Sequence, residues 1–234
     1  MPEKAELTPW ADLFPSNVAV VVAGDRDRQR PLNDAEQACV ADAVDSRQRE
    51  FTAGRNCLHR CLRNLGLQIH PPILMGKLRE PLLPNGYVGT LSHCNGYCVA
   101  VVAHASQYLG VGLDVEHNTP LESGLSSLIC FPDELTEVKN YLQDLPPAQQ
   151  QSYPDPGKLI FSIKESFYKA YFPQLKAYFD FLDVKVTLNL VDQTGSLQLI
   201  RPVGEQTSLD EKIYHTRFDW DANYVYSAIS IKNS

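Results

Sequence analysis

Apolar and polar residues along the chain follow two periods, one of two residues and one near 3.6, and the switches between them mark the elements. Residues 17–23 (NVAVVVA) form a short β-branched run that reads as a buried strand. After a polar connection with Pro31, Asn33 or Asp34 can cap a helix running to about Leu65, where Gly66 supplies the stop. Residues 76–86 are punctuated by Pro and Gly and read as an ordered loop. Residues 87–92 and 96–103 read as two strands around an Asn95-Gly96 hairpin turn. In residues 110–116, Val111, Leu113 and Val115 alternate with Gly112, Asp114 and Glu116, which is the pattern of a half-buried strand.

The second half begins differently. Pro120, Pro132, Pro146, Pro147, Pro154 and Pro156 interrupt residues 118–157, although Phe131-Pro132-Asp133-Glu134 can open a helix through Tyr141. Residues 158–171 (KLIFSIKESFYKAY) read as a helix bounded by Pro156-Gly157 before it and Phe172-Pro173 after it. Ile160, Ile163, Phe167, Ala170 and Tyr171 cover its apolar side, with Ser162, Glu165, Ser166 and Lys169 on the opposite arc. Alternation returns from Asp183 onward, and residues 213–220 and 223–231 are two further strands. Each half thus reads as a helix followed by an antiparallel meander. The expectation is an α+β fold of two pseudo-duplicated lobes, residues 1–117 and 118–234, with the active site in the cleft between them.

Charge narrows the function. With 28 acidic and 21 basic side chains the net charge is −7, which argues against a dedicated nucleic-acid binder. The cations are nevertheless clustered: Arg47, Arg49, Arg55, Arg60 and Arg63 lie on the first long helix, and Lys77 and Arg79 lie on the loop after it. Such an excess suits a multiply phosphorylated ligand. No stretch resembles a signal peptide or reaches the length of a membrane span. Six scattered cysteines without a paired C-x-x-C read as free thiols, so a cytoplasmic location is expected.

The acids carry the chemistry. Side chains two apart on a strand leave the same face, so the Asp114 and Glu116 carboxylates share a face, with their Cα atoms about 6.6 Å apart. Two carboxylates that close repel unless a cation lies between them, and hard divalent cations favour such oxygens. Ser92 and His93 end a strand beside a turn, where ligand contacts are commonly displayed. Glu165 and Lys169 stand four apart and can meet on one helix face. Lys164 projects among apolar residues, where a lysine must snorkel out or find an anion.

Gly112-Leu113-Asp114-Val115-Glu116, followed by Phe161-Ser162-Ile163-Lys164-Glu165-Ser166-Phe167-Tyr168-Lys169, resembles the two signature motifs of 4′-phosphopantetheinyl transferases. Arg79-Glu80-Pro81 leading into Leu91-Ser92-His93-Cys94, and Phe51 before Gly54-Arg55, are similar to further family segments. The likeness spans roughly residues 45–172 and points to the monomeric, two-lobed type. It departs from the pattern at Phe161, where many members carry Trp. The resemblance implies transfer of phosphopantetheine from coenzyme A to a serine of an apo acyl or peptidyl carrier protein, releasing 3′,5′-ADP. It implies Mg²⁺ held by Asp114, Glu116 and Glu165, with Glu165 also a base for the carrier serine. Lys169, together with Lys164, would neutralise the leaving phosphate. Arg47, Arg55, Ser92 and His93 would hold the 3′-phosphate and pyrophosphate, with Arg79 near the nucleotide and Arg49 competing with Arg47 for one role. Carrier proteins are typically acidic, so apolar residues within 121–131 are expected to carry their recognition. Two other readings use the same residues: a catalytically silent coenzyme A or carrier-binding module, and a phosphohydrolase that directs the acids at water. Retention of all three acids and Lys169 argues against the silent module.

Overall fold

Two antiparallel sheets with helices packed on them make an α+β fold in the computed structural model, which describes residues 9–69, 71–175, 179–201 and 212–233. In chain order the elements are α1 (Trp10–Leu13), β1 (Ala19–Val22), α2 (Asp25–Gln29), α3 (Asp34–Ala38), α4 (Asp45–Asn64), β2 (Tyr87–Cys94), β3 (Tyr97–His104) and β4 (Tyr108–His117). There follow α5 (Ser126–Ile129), α6 (Pro132–Gln143), α7 (Pro147–Gln150), α8 (Pro156–Leu175), a 3₁₀ turn (Phe181–Asp183), β5 (Val184–Asn189), β6 (Thr194–Leu199), β7 (Ile213–Trp220) and β8 (Tyr224–Lys232). The first sheet has the order β1-β3-β2 and the second β4-β8-β7-β6-β5. The β2–β3 hairpin turns where expected, with Gly96 at φ +84°, a conformation glycine adopts without a Cβ clash. Among the described residues, no helix is long and apolar enough to cross a membrane. All six cysteines are free thiols.

The first long helix is not continuous. Asn33 does cap a helix, its side chain accepting from Glu36 N, but that helix is α3 and ends at Ala38, and α4 starts only at Asp45. The reason is long-range. The buried Glu36 carboxylate lies 2.7 Å from His59 Nε2 and accepts from Ile73 N at 2.8 Å. In one straight helix those 23 positions would hold Glu36 and His59 about 34 Å apart. The chain therefore folds back so that Glu36 on α3 reaches His59 on α4. Below it, Cys57, Leu58, Cys61 and Leu62 of α4 pack on Ala19, Val21, Ala100 and Val102 of the first sheet.

Strand β4, expected to complete the first sheet, belongs to the second, where Asp114 lies opposite Ser227 and Glu116 opposite Val225 of β8. Burial on both faces explains the choice. Val111, Leu113 and Val115 pack against Trp10, Val99 and Val101, while Gly110 and Gly112 lie under α8. Phe167 and Tyr171 of α8 are fully buried against β5–β8, each contributing about 1.5–3 kcal/mol of apolar burial. The face of α8 bearing Ser162 and Ser166 is equally buried rather than solvated. The helix also continues two residues past Phe172-Pro173, to Leu175. A proline there removes a single hydrogen bond near the helix end, too little to stop it.

Candidate active site

The glycines before the acids set the site's geometry. A Cβ on Gly110 would fall 2.0 Å from Ala170 O, and one on Gly112 would fall 1.9 Å from Ser166 O, so α8 lies directly on the β4 backbone. The helix runs antiparallel to the strand. Four helical residues rise about 6.0 Å and two strand residues about 6.6 Å, so the two elements stay in step. Gly110 thus meets Ala170, Gly112 meets Ser166, the Asp114–Ser227 rung meets Ser162, and Glu116 meets Lys158. Both predicted acids leave β4 on the face that α8 covers.

Asp114 is buried, and its Oδ1 accepts from Ser92 Oγ at 2.8 Å and from Lys169 Nζ at 2.6 Å. Its Oδ2 is buried without a hydrogen-bond partner. Glu116 accepts from Lys158 Nζ at 3.3 Å. Burial, then the charge of Asp114, pushes the Glu116 carboxyl above the usual range in spite of Lys158. Burial likewise raises the Glu165 carboxyl, with Lys169 opposing and Asp114 and Glu116 adding to the rise. Among the described residues Glu165 makes no hydrogen bond. Burial works against the Lys169 ammonium, yet Asp114 and then Glu165 hold its pKa above the ordinary lysine value. Lys169 was expected to meet Glu165, four positions back; its hydrogen bonds go to Asp114 and Ser92 instead.

Beside this cluster is a cleft of about 230 Å³ lined by Arg47, Phe51 and Arg55 of α4, Arg79 and Pro81 of the loop, His93 of β2, and Tyr168 and Lys169 of α8. Arg47 lines the cleft and is half-exposed, whereas Arg49 is exposed and is not among the cleft's lining residues. Arg47 Nη1 is 3.2 Å from His93 Nε2. A guanidinium only donates, so Nε2 is the acceptor and the ring proton sits on Nδ1, 3.8 Å from Glu50. Burial lowers the His93 pKa, which suits this neutral form. Arg55 is buried: Nε donates to Ile73 O at 2.7 Å, Nη2 lies 3.4 Å from Leu74 O, and the guanidinium stacks 4.1 Å above the Phe51 ring. Burial brings its pKa down to about 10.

Two predicted contacts do not reach the cleft as expected. Ser92 lies beneath it, with its hydroxyl on Asp114 and not open to a phosphate. Lys164 finds its anion inside the protein: Nζ donates to Glu134 Oε2 at 3.0 Å, Ile129 O at 2.8 Å and Phe181 O at 3.1 Å, with both side chains 1% exposed. An ammonium saturated by three protein oxygens is not free for a phosphate. The helix periodicity gave no sight of Glu134, which comes from another element. Lys158 and Tyr168 also went unmarked; Lys158 was reachable through the small-residue stripe Ser162, Ser166, Ala170 that continues to it.

Tyr168 separates the cleft from a second recess of about 240 Å³ lined by Glu165, Phe179, Phe181 and Val184. Wider open grooves of about 850 and 920 Å³ lie over β5–β8 and beside Trp220 and contain none of these groups. Among the described residues no three His, Cys, Asp or Glu side chains stand close enough to hold a metal ion. The donors nevertheless suit a hard cation: two acids on one face of β4, a third on α8, and a buried carboxylate oxygen with nothing bound to it. Their present spacing is the one adopted around two lysines.

Comparison with known proteins agrees with the motifs. Residues 35–103 match the model of the 4′-phosphopantetheinyl transferase N-terminal domain, and residues 110–227 that of the 4′-phosphopantetheinyl transferase superfamily. The chain is 31% identical over 160 residues to the 4′-phosphopantetheinyl transferase Npt of Nocardia iowensis, covering 68% of this chain and 67% of that protein. It is 34% identical over 160 residues to PptT of Mycobacterium tuberculosis, covering 68% and 66%. Enterobactin synthase component D of Salmonella typhi is 34% identical over 125 residues, covering 53% and 48%. The matched part thus spans about two thirds of the length of the first relatives and half of the last.

Proposed function

The chain belongs to the 4′-phosphopantetheinyl transferase superfamily, and we propose that it moves phosphopantetheine from coenzyme A onto a serine of an apo acyl or peptidyl carrier protein. In this reaction the serine oxygen bonds to the β-phosphorus of coenzyme A, the bond from that phosphorus to the bridging oxygen breaks, and 3′,5′-ADP leaves. The observation that carries the reading is the meeting of a cationic cleft, with Arg47, Arg55, Arg79, His93 and Lys169 on its walls, and the buried Asp114 behind Lys169.

The side chains divide the work. Arg47, Arg79 and the unbonded Nη1 of Arg55 bind the 3′-phosphate and pyrophosphate, and His93 adds a ring N–H or, once a phosphate is near, a charge. Glu165, which lines the recess beside Tyr168, takes the serine proton. Lys169 lies between the acids and the cleft, placed to neutralise charge on the leaving phosphate. Ser92 holds Asp114 in position. The recess past Tyr168, walled by Phe179, Phe181 and Val184, offers the pantetheine arm an apolar lining next to Glu165. Mg²⁺ on Asp114, Glu116 and Glu165 would supply charge neutralisation at the pyrophosphate.

In this reading the helix-and-sheet units around α4 and α8 are pseudo-duplicated lobes. Residues 1–117 supply the phosphate contacts and first two acids, residues 118–234 supply α8, and the protein acts as a monomer. Leu125 and Leu128, 37% and 62% exposed, present apolar surface to the carrier within residues 121–131. The test is the intact mass of an apo carrier protein after incubation with this protein, coenzyme A and Mg²⁺. A gain of one phosphopantetheine, absent with Glu165→Gln and with EDTA, is expected. Free phosphopantetheine without carrier modification would mean a hydrolase, and coenzyme A binding without either product would mean a silent module.

A further inference from the structure

The register of α8 on β4 brings in a cation that lies outside both signature motifs. Lys158, in the first turn of α8, donates to Glu116 Oε2 at 3.3 Å, with side chains 12% and 28% exposed. Lys169, near the other end of the helix, donates to Asp114 Oδ1 at 2.6 Å. Two ammoniums from one helix therefore clamp the two acids of one strand. Asp114 Oδ2 stays bare, and the three carboxylates are not gathered closely enough for a metal. An ammonium and a divalent cation compete for the same carboxylate lone pairs. To share one ion with Asp114 and Glu165, Glu116 must leave its position at the start of α8. Lys158 holds it there.

We propose that Lys158 is an internal counter-ion that a divalent cation displaces from Glu116, so that this lysine sets the affinity of the coenzyme-free enzyme for the metal. The inference rests on the assignment of the cation to Asp114, Glu116 and Glu165. Lys158 touches Glu116, and its ammonium lies over the Phe161 ring, 5.8 Å from the centroid. It is a positioning residue, and its effect is on how readily the acids close around an ion.

The test is Mn²⁺ binding to the full chain without coenzyme A, followed by the electron paramagnetic resonance signal of free Mn²⁺. Lys158→Met keeps the apolar stem and is expected to bind Mn²⁺ about three- to tenfold more tightly, the range a partly buried ion pair can withhold. Lys158→Arg retains the competitor and should resemble the parent protein. The gain should vanish in a Glu116→Gln background; a gain that persists there would reflect general charge and overturn the direct contest. Unchanged or weaker binding by Lys158→Met would also overturn it. Should Lys158→Met not fold, amine acetylation of the unaltered protein read by peptide mass decides: Lys158 labelling should rise at saturating Mn²⁺, and constant labelling refutes displacement. Mn²⁺ bound by the parent with Lys158 still on Glu116 defeats this inference alone. Failure of every form to bind Mn²⁺ defeats the metal assignment and the inference with it.

Discussion

Glu165 is a carboxylate held in a place that disfavours its charge. Burial is the largest cause, and Asp114 and Glu116 add to it. The folded protein therefore binds the Glu165 proton more tightly than the unfolded chain does. Stability from this group is full at acid pH and lost as pH rises from the ordinary carboxyl value of 4.5 through the raised folded value. Metal-free Glu165→Gln should consequently melt higher than the parent at pH 7.5 and alike near pH 4, while its transfer activity is lost. Equal melting at both pH values would contradict the desolvated carboxylate. The arginines separate in the same manner. Arg47 is 37% exposed, so Arg47→Ala should raise the Michaelis constant for coenzyme A and leave the melting temperature unchanged. Arg55→Ala also strands Ile73 O and uncovers Phe51, and should cost about 1–3 kcal/mol of stability in addition. A denaturant series beside coenzyme A kinetics reads both effects. Arg55 was legible from its motif as a cleft residue, but its structural load was not, because Ile73 and Leu74 are brought to it by tertiary folding.

The motif glycines are the element-scale device. Gly112→Ala would place a methyl 1.9 Å from the Ser166 carbonyl, backbone that moves only if the whole of α8 lifts from β4. The expected result is a loss of about 1–3 kcal/mol with near-complete loss of transfer, since Glu165 and Lys169 ride on that helix. Wild-type activity in Gly112→Ala would show that the helix–strand spacing is not critical. Lys164 and Glu134 fasten the other side of the helix. Glu134 accepts from Phe131 N at 2.8 Å, Val186 N at 2.7 Å and Lys164 Nζ at 3.0 Å, tying α6, β5 and α8 together. Glu134→Ala should be more damaging than Lys164→Met by urea melting, because it strands Phe131 N and Val186 N and leaves the buried Lys164 ammonium without its counter-charge, whereas Lys164→Met strands Ile129 O and Phe181 O but leaves the Glu134 carboxylate its two backbone donors. Helix α8, the β2–β3 hairpin and the two acids on one strand face were readable from period and turn chemistry. The break between α3 and α4 and the sheet that β4 joins were not. Both are decided by partners distant in sequence: Glu36 with His59, and β4 with β8.

At the scale of the molecule, a net charge of −7 coexists with a cleft lined by Arg47, Arg55, Arg79 and Lys169. The two substrates of the proposed reaction therefore meet opposite fields. Coenzyme A carries its phosphates to a local excess of cations, an attraction that salt screens beyond about 10 Å at 0.1 M ionic strength. An acidic carrier approaches a surface of its own sign, and salt relieves that repulsion. Raising ionic strength from about 0.05 to 0.5 M should thus raise the Michaelis constant for coenzyme A several-fold and leave that for the carrier unchanged or lower. The exposed Leu128 supplies the matching substitution: Leu128→Asp should raise the carrier constant about tenfold, with coenzyme A kinetics intact. Steady-state assays varying one substrate at a time distinguish the two. A carrier constant that rises with salt as steeply as that for coenzyme A would mean that cations, not the apolar residues of 121–131, hold the carrier, and the basic cleft rim would then be the place to look for its docking.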